Sequence, residues 1–477
     1  MDGGDRARLG RPLKQVLLGS LLALFGSAAA QAQPTGRCDV TNHGARPDGK
    51  TLATSAIQRA IDACANAGGG IVLLPRGVFL AGTLVLKDNI TLRIEPGAVL
   101  MASRRIADFR PFPPEDVKLI AIDGSTQNKG NGPYHLIHAS GAHHIAIDGG
   151  GTIDGNGSNY WDPDPQKVFV SRRPRPSPLI EFVGSSDIRV ENLTIRNAAG
   201  WTVHPLESSN IRMSGLTIVN NPRGPNTDGI DVDSSRNVAI RDSNIDAGDD
   251  CVVLKTTGRR GARPAPSTTN VIVSGLTCST DDQGVKIGTE TLGDIRDVMF
   301  NDILIYRSER QYRPPTAGIS ISMVDGSVLE DILVSNVIIR DAATPVFLRL
   351  GNRGRGQKAP VPGRAANIEL SNIIATGGTL ASSITGLPGF PIRNVSISDV
   401  QIEMAGGGKK DPIVVPEAAG DYPQAPMFGP LPASGLYARH VDGLSLHNVQ
   451  LRTAQPDARP PLVLDDVRLT PNQEPGS

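Results

Sequence analysis

Three carboxylates stand close enough in the sequence to share one reaction. Asn226-Thr227-Asp228-Gly229 is followed by Gly248-Asp249-Asp250, and Asp249 lies 21 residues after Asp228. Glycosidic hydrolysis needs such a set: a protonated acid for the leaving oxygen, and an ionised carboxylate for a water or for the anomeric carbon. Neighbouring carboxylates raise one another's pKa, which keeps one protonated near neutral pH. Asp and Asn are also common bend residues that bond the local backbone. Asp231, Asp233 and Asp246 read better in that way. The Asp249-Asp250 pair does not, because adjacent carboxylates repel and a bend has no need of both. Calcium binding is a third reading of these oxygens.

The elements that must position these residues repeat along the chain. Short β-branched alternations, each ended by Gly, Asn or Asp, share the pattern Asn/Asp, Ile/Val, x, apolar, x, Asn/Asp/Gly, apolar, x, apolar. Their anchors are Asp187, Asn210, Asn237, Asn270, Asp297, Asp331, Asn367 and Asn394, separated by 23 to 36 residues. Two short strands with a bend between them, at that period, predict one coil of an all-β, parallel β-helix. Apolar residues would stack inward at about 4.8 Å per rung. A propeller fits less well, since its blades are antiparallel and hold about 40–45 residues. The spacing of Asp228 and Asp249 is about one coil, so both should lie side by side on one outer face.

Residues 51–67 read as a short helix that caps the N-terminal end. Ile57, Ile61 and Cys64 share one of its faces, and Gly68-Gly69-Gly70 stops it. No second domain is evident. The Gly/Pro-rich stretches 258–267, 351–363 and 406–434 are expected to be long loops that shape a groove. Residues 1–32 read as a signal peptide, with Arg6, Arg8, Arg11 and Lys14 before the apolar run 16–25 and an Ala-rich cleavage region. The domain 33–477 would then be exported to a periplasm or the medium. The apolar run is too short to anchor in a bilayer. Lys+Arg and Asp+Glu both total 48, so the neutral chain carries no electrostatic footprint for nucleic acid or anionic membrane. Cys38 and Cys64 flank the helix and could pair. Cys251 and Cys278 could pair or stack as reduced core thiols. No His/Cys spacing suggests zinc.

Taken together, the two aspartate motifs resemble the signature of glycoside hydrolase family 28, the polygalacturonase family. Gly149–Gly155 before Trp161-Asp162, Leu179–Phe182, Trp201–Pro205 and Lys286–Glu290 agree with it. The resemblance covers about Cys38 to Asp466. It implies a right-handed, pectin-lyase-like β-helix, and hydrolysis with inversion and no metal or other cofactor. Asp249 would be the general acid, and Asp228 and Asp250 would hold and activate water.

Two departures concern the substrate. The Gly-His-Gly of the family is replaced by Asp281-Asp282-Gln283-Gly284-Val285, and its Arg-x-Lys strand by Gly318-Ile319-Ser320-Ile321-Ser322. A uronate carboxylate would lack its usual bidentate partner. The expected substrate is a pectic glycan with an altered sugar at the cleaved bond, branched or neutral, with action from a chain end plausible. Asn226, Asp282, Lys286, Trp201 and Arg349 are the candidate substrate contacts, with Arg353 a further cation and Trp161 and Tyr306 further stacking surfaces. The protein is expected to act as a monomer. The competing readings are a polysaccharide lyase, with calcium and Lys255 or Lys286 as base, and a non-catalytic carbohydrate-binding β-helix.

Overall fold

The computed structural model describes residues 36–470 apart from 113–131, 167, 173, 258–264, 356 and 411. The expected signal peptide lies outside the described residues. From 36 onward, the chain winds as a right-handed parallel β-helix. Every ladder in the large sheet is parallel, which rules against propeller blades.

The bends explain the repeat. All eight anchoring Asn and Asp residues have φ between 52° and 60°. The second bend of each unit is also left-handed, as at Asn192, Gly215, Asp242 and Gly275. That conformation costs most side chains about 1–2 kcal/mol, and Asn, Asp and Gly least. Stacking then adds a ladder: Asn210 Nδ2 donates to Asp187 at 3.0 Å, Asn237 to Asn210 at 3.0 Å, and Asn270 to Asn237 at 2.9 Å. Between the bends, alternate residues point inward. They form one hydrophobic core running from Val40 to Leu444.

Helix α1 (Thr54–Asn66) matches the expected helix. Its buried face, Ala56, Ile57, Ala60, Ile61 and Cys64, joins the same core beside Val72 and Ile90. Cys38 and Cys64 form a disulfide that ties α1 to the first strand. Cys251 and Cys278 are also disulfide-bonded, one coil apart, which decides between the two readings left open by the sequence.

One column of strands carries the site. In chain order it contains β1 (Ile137–Ser140), β2 (Ile180–Val183), β3 (Val203–Leu206), β4 (Ile230–Asp233), β5 (Val252–Thr256), β6 (Gln283–Thr291), β7 (Ala317–Met323), β8 (Thr344–Leu350), β9 (Ser382–Thr385) and β10 (Leu436–Thr453). The register aligns His138, Glu181 and His204 on β1–β3, then Asp231, Val253 and Lys286 on β4–β6. It continues through Ser320, Phe347, Ser383 and Tyr437. Every residue in this outward row is buried. Over β7–β10 the cover is residues 413–433, where Val415, Ala425, Phe428 and Leu431 pack on Phe347 and Tyr437.

Candidate active site

The aspartates occupy the turns entering β4 and β5. Ile230 pairs with Val252, and Gly229 N–H donates to the Asp250 carbonyl at 2.9 Å, so Asp228 stands over Asp250 on successive rungs. Two glycines allow this. A Cβ on Gly229 would sit 2.4 Å from the Cys251 carbonyl oxygen, and one on Gly248 2.2 Å from that of Asn221. Asn226, left-handed at φ 53°, donates Nδ2 to Asp249 Oδ2 at 3.3 Å. The Asp249 carbonyl accepts from Thr280 Oγ1, and Asp282 N–H donates to the same hydroxyl at 2.9 Å. One oxygen from each of Asp228, Asp249 and Asp250 lies within 4.8 Å of the others.

Burial dominates the electrostatics. It pushes Asp228 well above the usual carboxylate range, and the charges of Asp231 and Asp249 push the same way. Asp249 is raised by burial and then by Asp250. Asp250 is raised to about 6 by burial, against the opposing pull of Lys286. Lys286 Nζ lies 2.8 Å from Asp250 Oδ2. A second buried pair, Lys255 Nζ to Asp231 Oδ1 at 2.6 Å, flanks Asp228. The three aspartates could chelate a cation by distance alone, but the Lys286 ammonium already takes that electrostatic place at Asp250. The same geometry favours proton chemistry: carboxyls held near the point where one keeps its proton while another is ionised.

The other expected residues divide. Asn226 and Asp282 are at the site. Asp231, Asp233 and Asp246 hold partners across coils rather than local backbone: Lys255, Thr257 Oγ1 (2.5 Å) and Arg310 (2.7 Å). Three expected substrate contacts are engaged by partners within the protein. Lys286 is 6% exposed and is committed to Asp250. Trp201 is buried, and Lys255 Nζ sits 3.7 Å from its ring centroid, so that face is taken. Arg349 is 2% exposed and donates to the Glu417 carbonyl at 2.6 Å and the Gly386 carbonyl at 3.2 Å. It fastens the covering loop. Arg353 likewise holds Asp325 at 2.6 Å. Trp161 is buried, its Nε1 donating to the Ala199 carbonyl at 2.9 Å.

The sequence did not single out Tyr422. It stands 48% exposed on the covering loop, within electrostatic reach of Lys286, Asp250 and Asp282. Only the path of residues 405–434 could have placed it there.

The family model of "Glycosyl hydrolases family 28" matches residues 107–417. The chain belongs to that family. It is therefore a glycoside hydrolase. The model "Rhamnogalacturonase A/epimerase, pectate lyase-like" matches residues 38–100. A probable polygalacturonase of Vitis vinifera is 32% identical over 376 residues, covering 76% of this chain and 74% of that one. An exopolygalacturonase of Zea mays is 25% identical, covering 83% and 90%. The structure of a family 28 exopolygalacturonase from Yersinia enterocolitica superposes with a TM-score of 0.63 at 20% identity, covering 92% of this chain and 79% of that one. At that identity the likeness is one of fold.

Proposed function

We propose that this family 28 hydrolase cuts a pectin-type polysaccharide with inversion, using Asp249 as general acid and Asp228 with Asp250 to hold and activate water. The stacked carboxylates carry the reading. Asp249 is the least buried of the three, and its raised pKa favours the protonated form a leaving oxygen needs. The Lys286 ammonium favours the ionised form of Asp250, which a base needs. Spacing alone argues less clearly. The carboxyl oxygens are nearer than the about 6.5–9.5 Å usual between two carboxyls of inverting enzymes. Here three carboxyls share the work rather than two, so the product anomer is the deciding measurement.

Action from a chain end fits the covered row. Residues 413–433 lie over β7–β10, and His138, Glu181 and His204 are buried on β1–β3, which leaves the aspartates between two closed stretches. The two disulfides support passage through an oxidising compartment, in line with export.

The test is a screen of pectic and rhamnogalacturonan chains. Reducing ends, product size and product anomer are read early in the reaction. Small products released from the start, with inverted anomeric configuration, are expected. Retained configuration would remove the mechanism, and a broad mixture of oligomers would remove the chain-end reading.

A further inference from the structure

Five aspartates crowd the catalytic rungs: Asp228, Asp249, Asp250, Asp281 and Asp282. A sugar carboxylate entering that field needs a cation to pair with. Among the described residues, Lys255, Lys286 and Arg313 act on these aspartates. The two lysines are buried and held at 2.6 Å and 2.8 Å by Asp231 and Asp250. Arg313 differs. Its side chain is 46% exposed, and its ion-pair contact, Nε to Asp281 Oδ2, is loose at 3.4 Å. Burial raises Asp281 to about 7, so that carboxyl neutralises Arg313 only in part near neutral pH.

The position of Arg313 is built. It lies in residues 307–316, which lead from the strand Ile295–Tyr306 into β7. Gln311, itself 3% exposed, donates Nε2 to Asp246 Oδ1 at 2.8 Å and to the Ala247 carbonyl at 2.9 Å. Arg310 donates to Asp246 Oδ2 at 2.7 Å and to the Asn220 carbonyl at 2.8 Å. Asp246 and Ala247 run directly into Gly248-Asp249. The segment that carries Arg313 is therefore fastened to the turn that carries Asp249. The ring of Tyr312 holds two cations, with Arg313 Cζ 5.5 Å and Arg223 Cζ 4.8 Å from its centroid.

We propose that Arg313 grips the carboxylate of a free uronate beside Asp249, standing in for the Arg-x-Lys strand that this chain lacks. Its planar fork matches a carboxylate through two parallel N–H donors. The sugar at the cleaved bond is then acidic, not the neutral or branched unit expected from the missing strand. This inference rests on pectin-type hydrolysis by the three aspartates.

The test compares oligogalacturonates with their methyl esters, using wild type, Arg313→Ala and Arg313→Lys. Wild type is expected to favour the free acid. Arg313→Ala should lower kcat/KM on the acid at least 30-fold, leave the ester rate within threefold, and so abolish the preference. Arg313→Lys should restore part of it. An Ala variant that keeps the preference would overturn the proposal, as would a wild type that cuts ester and acid equally, a result independent of any variant. A wild type that releases no reducing ends from any pectic chain would instead overturn the underlying reading of function.

Discussion

On the side of the coil that carries Asn210, Asn237 and Asn270, each bend residue donates to its counterpart one turn away. On the side that carries Asp228 and Asp250, residues in the same stacked relation are both acids, and burial raises both. The first side converts stacking into hydrogen bonds and stability. The second spends stability to hold carboxyls out of their ordinary ionisation range, as functional sites commonly do. The difference is one of chemistry on a shared backbone plan, since both sides rest on the same inward stack of Ile, Val and Leu.

Substitutions should therefore have opposite signatures on the two sides. Asp228→Asn removes a carboxyl from the pair proposed to hold water, and turnover should fall by about 10²–10⁴-fold. Its stability should move the other way. The folded-state pKa of Asp228 is raised, so its contribution is present at low pH and lost as pH rises through that pKa. Asn carries no such loss, so the variant should melt no lower than wild type at pH 8. A variant with normal turnover and a lower melting temperature would make Asp228 a member of the structural side. Lys286→Met is the next test. Without the ammonium, the Asp250 carboxylate loses its partner and its pKa rises further above about 6. The acid limb of the kcat/KM profile should move to higher pH by about one unit or more. An unmoved limb would remove Asp250 as the titrating base. The smallest effect is expected at Asn237→Ala, which breaks two ladder bonds and puts Ala at φ 57°. It should cost about 1–3 kcal/mol in denaturant unfolding with turnover unchanged. Asn237→Gly should cost less, because it keeps the backbone unstrained.

The two sides also differed in how much of them could be read from sequence. The bend side was legible because a left-handed residue restricts the choice to Asn, Asp or Gly, and the restriction recurs every coil. The meeting of Asp228 with Asp249-Asp250 was legible for the same reason: their spacing is one coil. Less legible was the neighbourhood contributed by loops. Arg349 and Trp201 looked like ligand contacts because charge and aromatic surface suit a sugar. Their burial depends on residues 413–433 and on Lys255, whose paths no local pattern reports. Lys286 was seen, but its pairing with Asp250 follows from the register of β5 on β6 and not from its own segment. Trp161 is drawn inward in the same way, with its Nε1 donating to the Ala199 carbonyl, a contact no local pattern reports.

The central claim is that Asp249 supplies the proton to the departing sugar. The most direct measurement is the rate at which Asp249→Asn releases reducing ends from whichever pectic chain the wild type cuts, beside thermal unfolding of both proteins. Asn keeps the shape of the side chain and one of the two hydrogen bonds that Asp249 accepts, from Asn226 Nδ2 or from the Asp250 N–H, so the fold should stand. The account predicts at least a 10³-fold loss of turnover with an unchanged or higher melting temperature at neutral pH. Turnover within tenfold of wild type, from a folded variant, would contradict it.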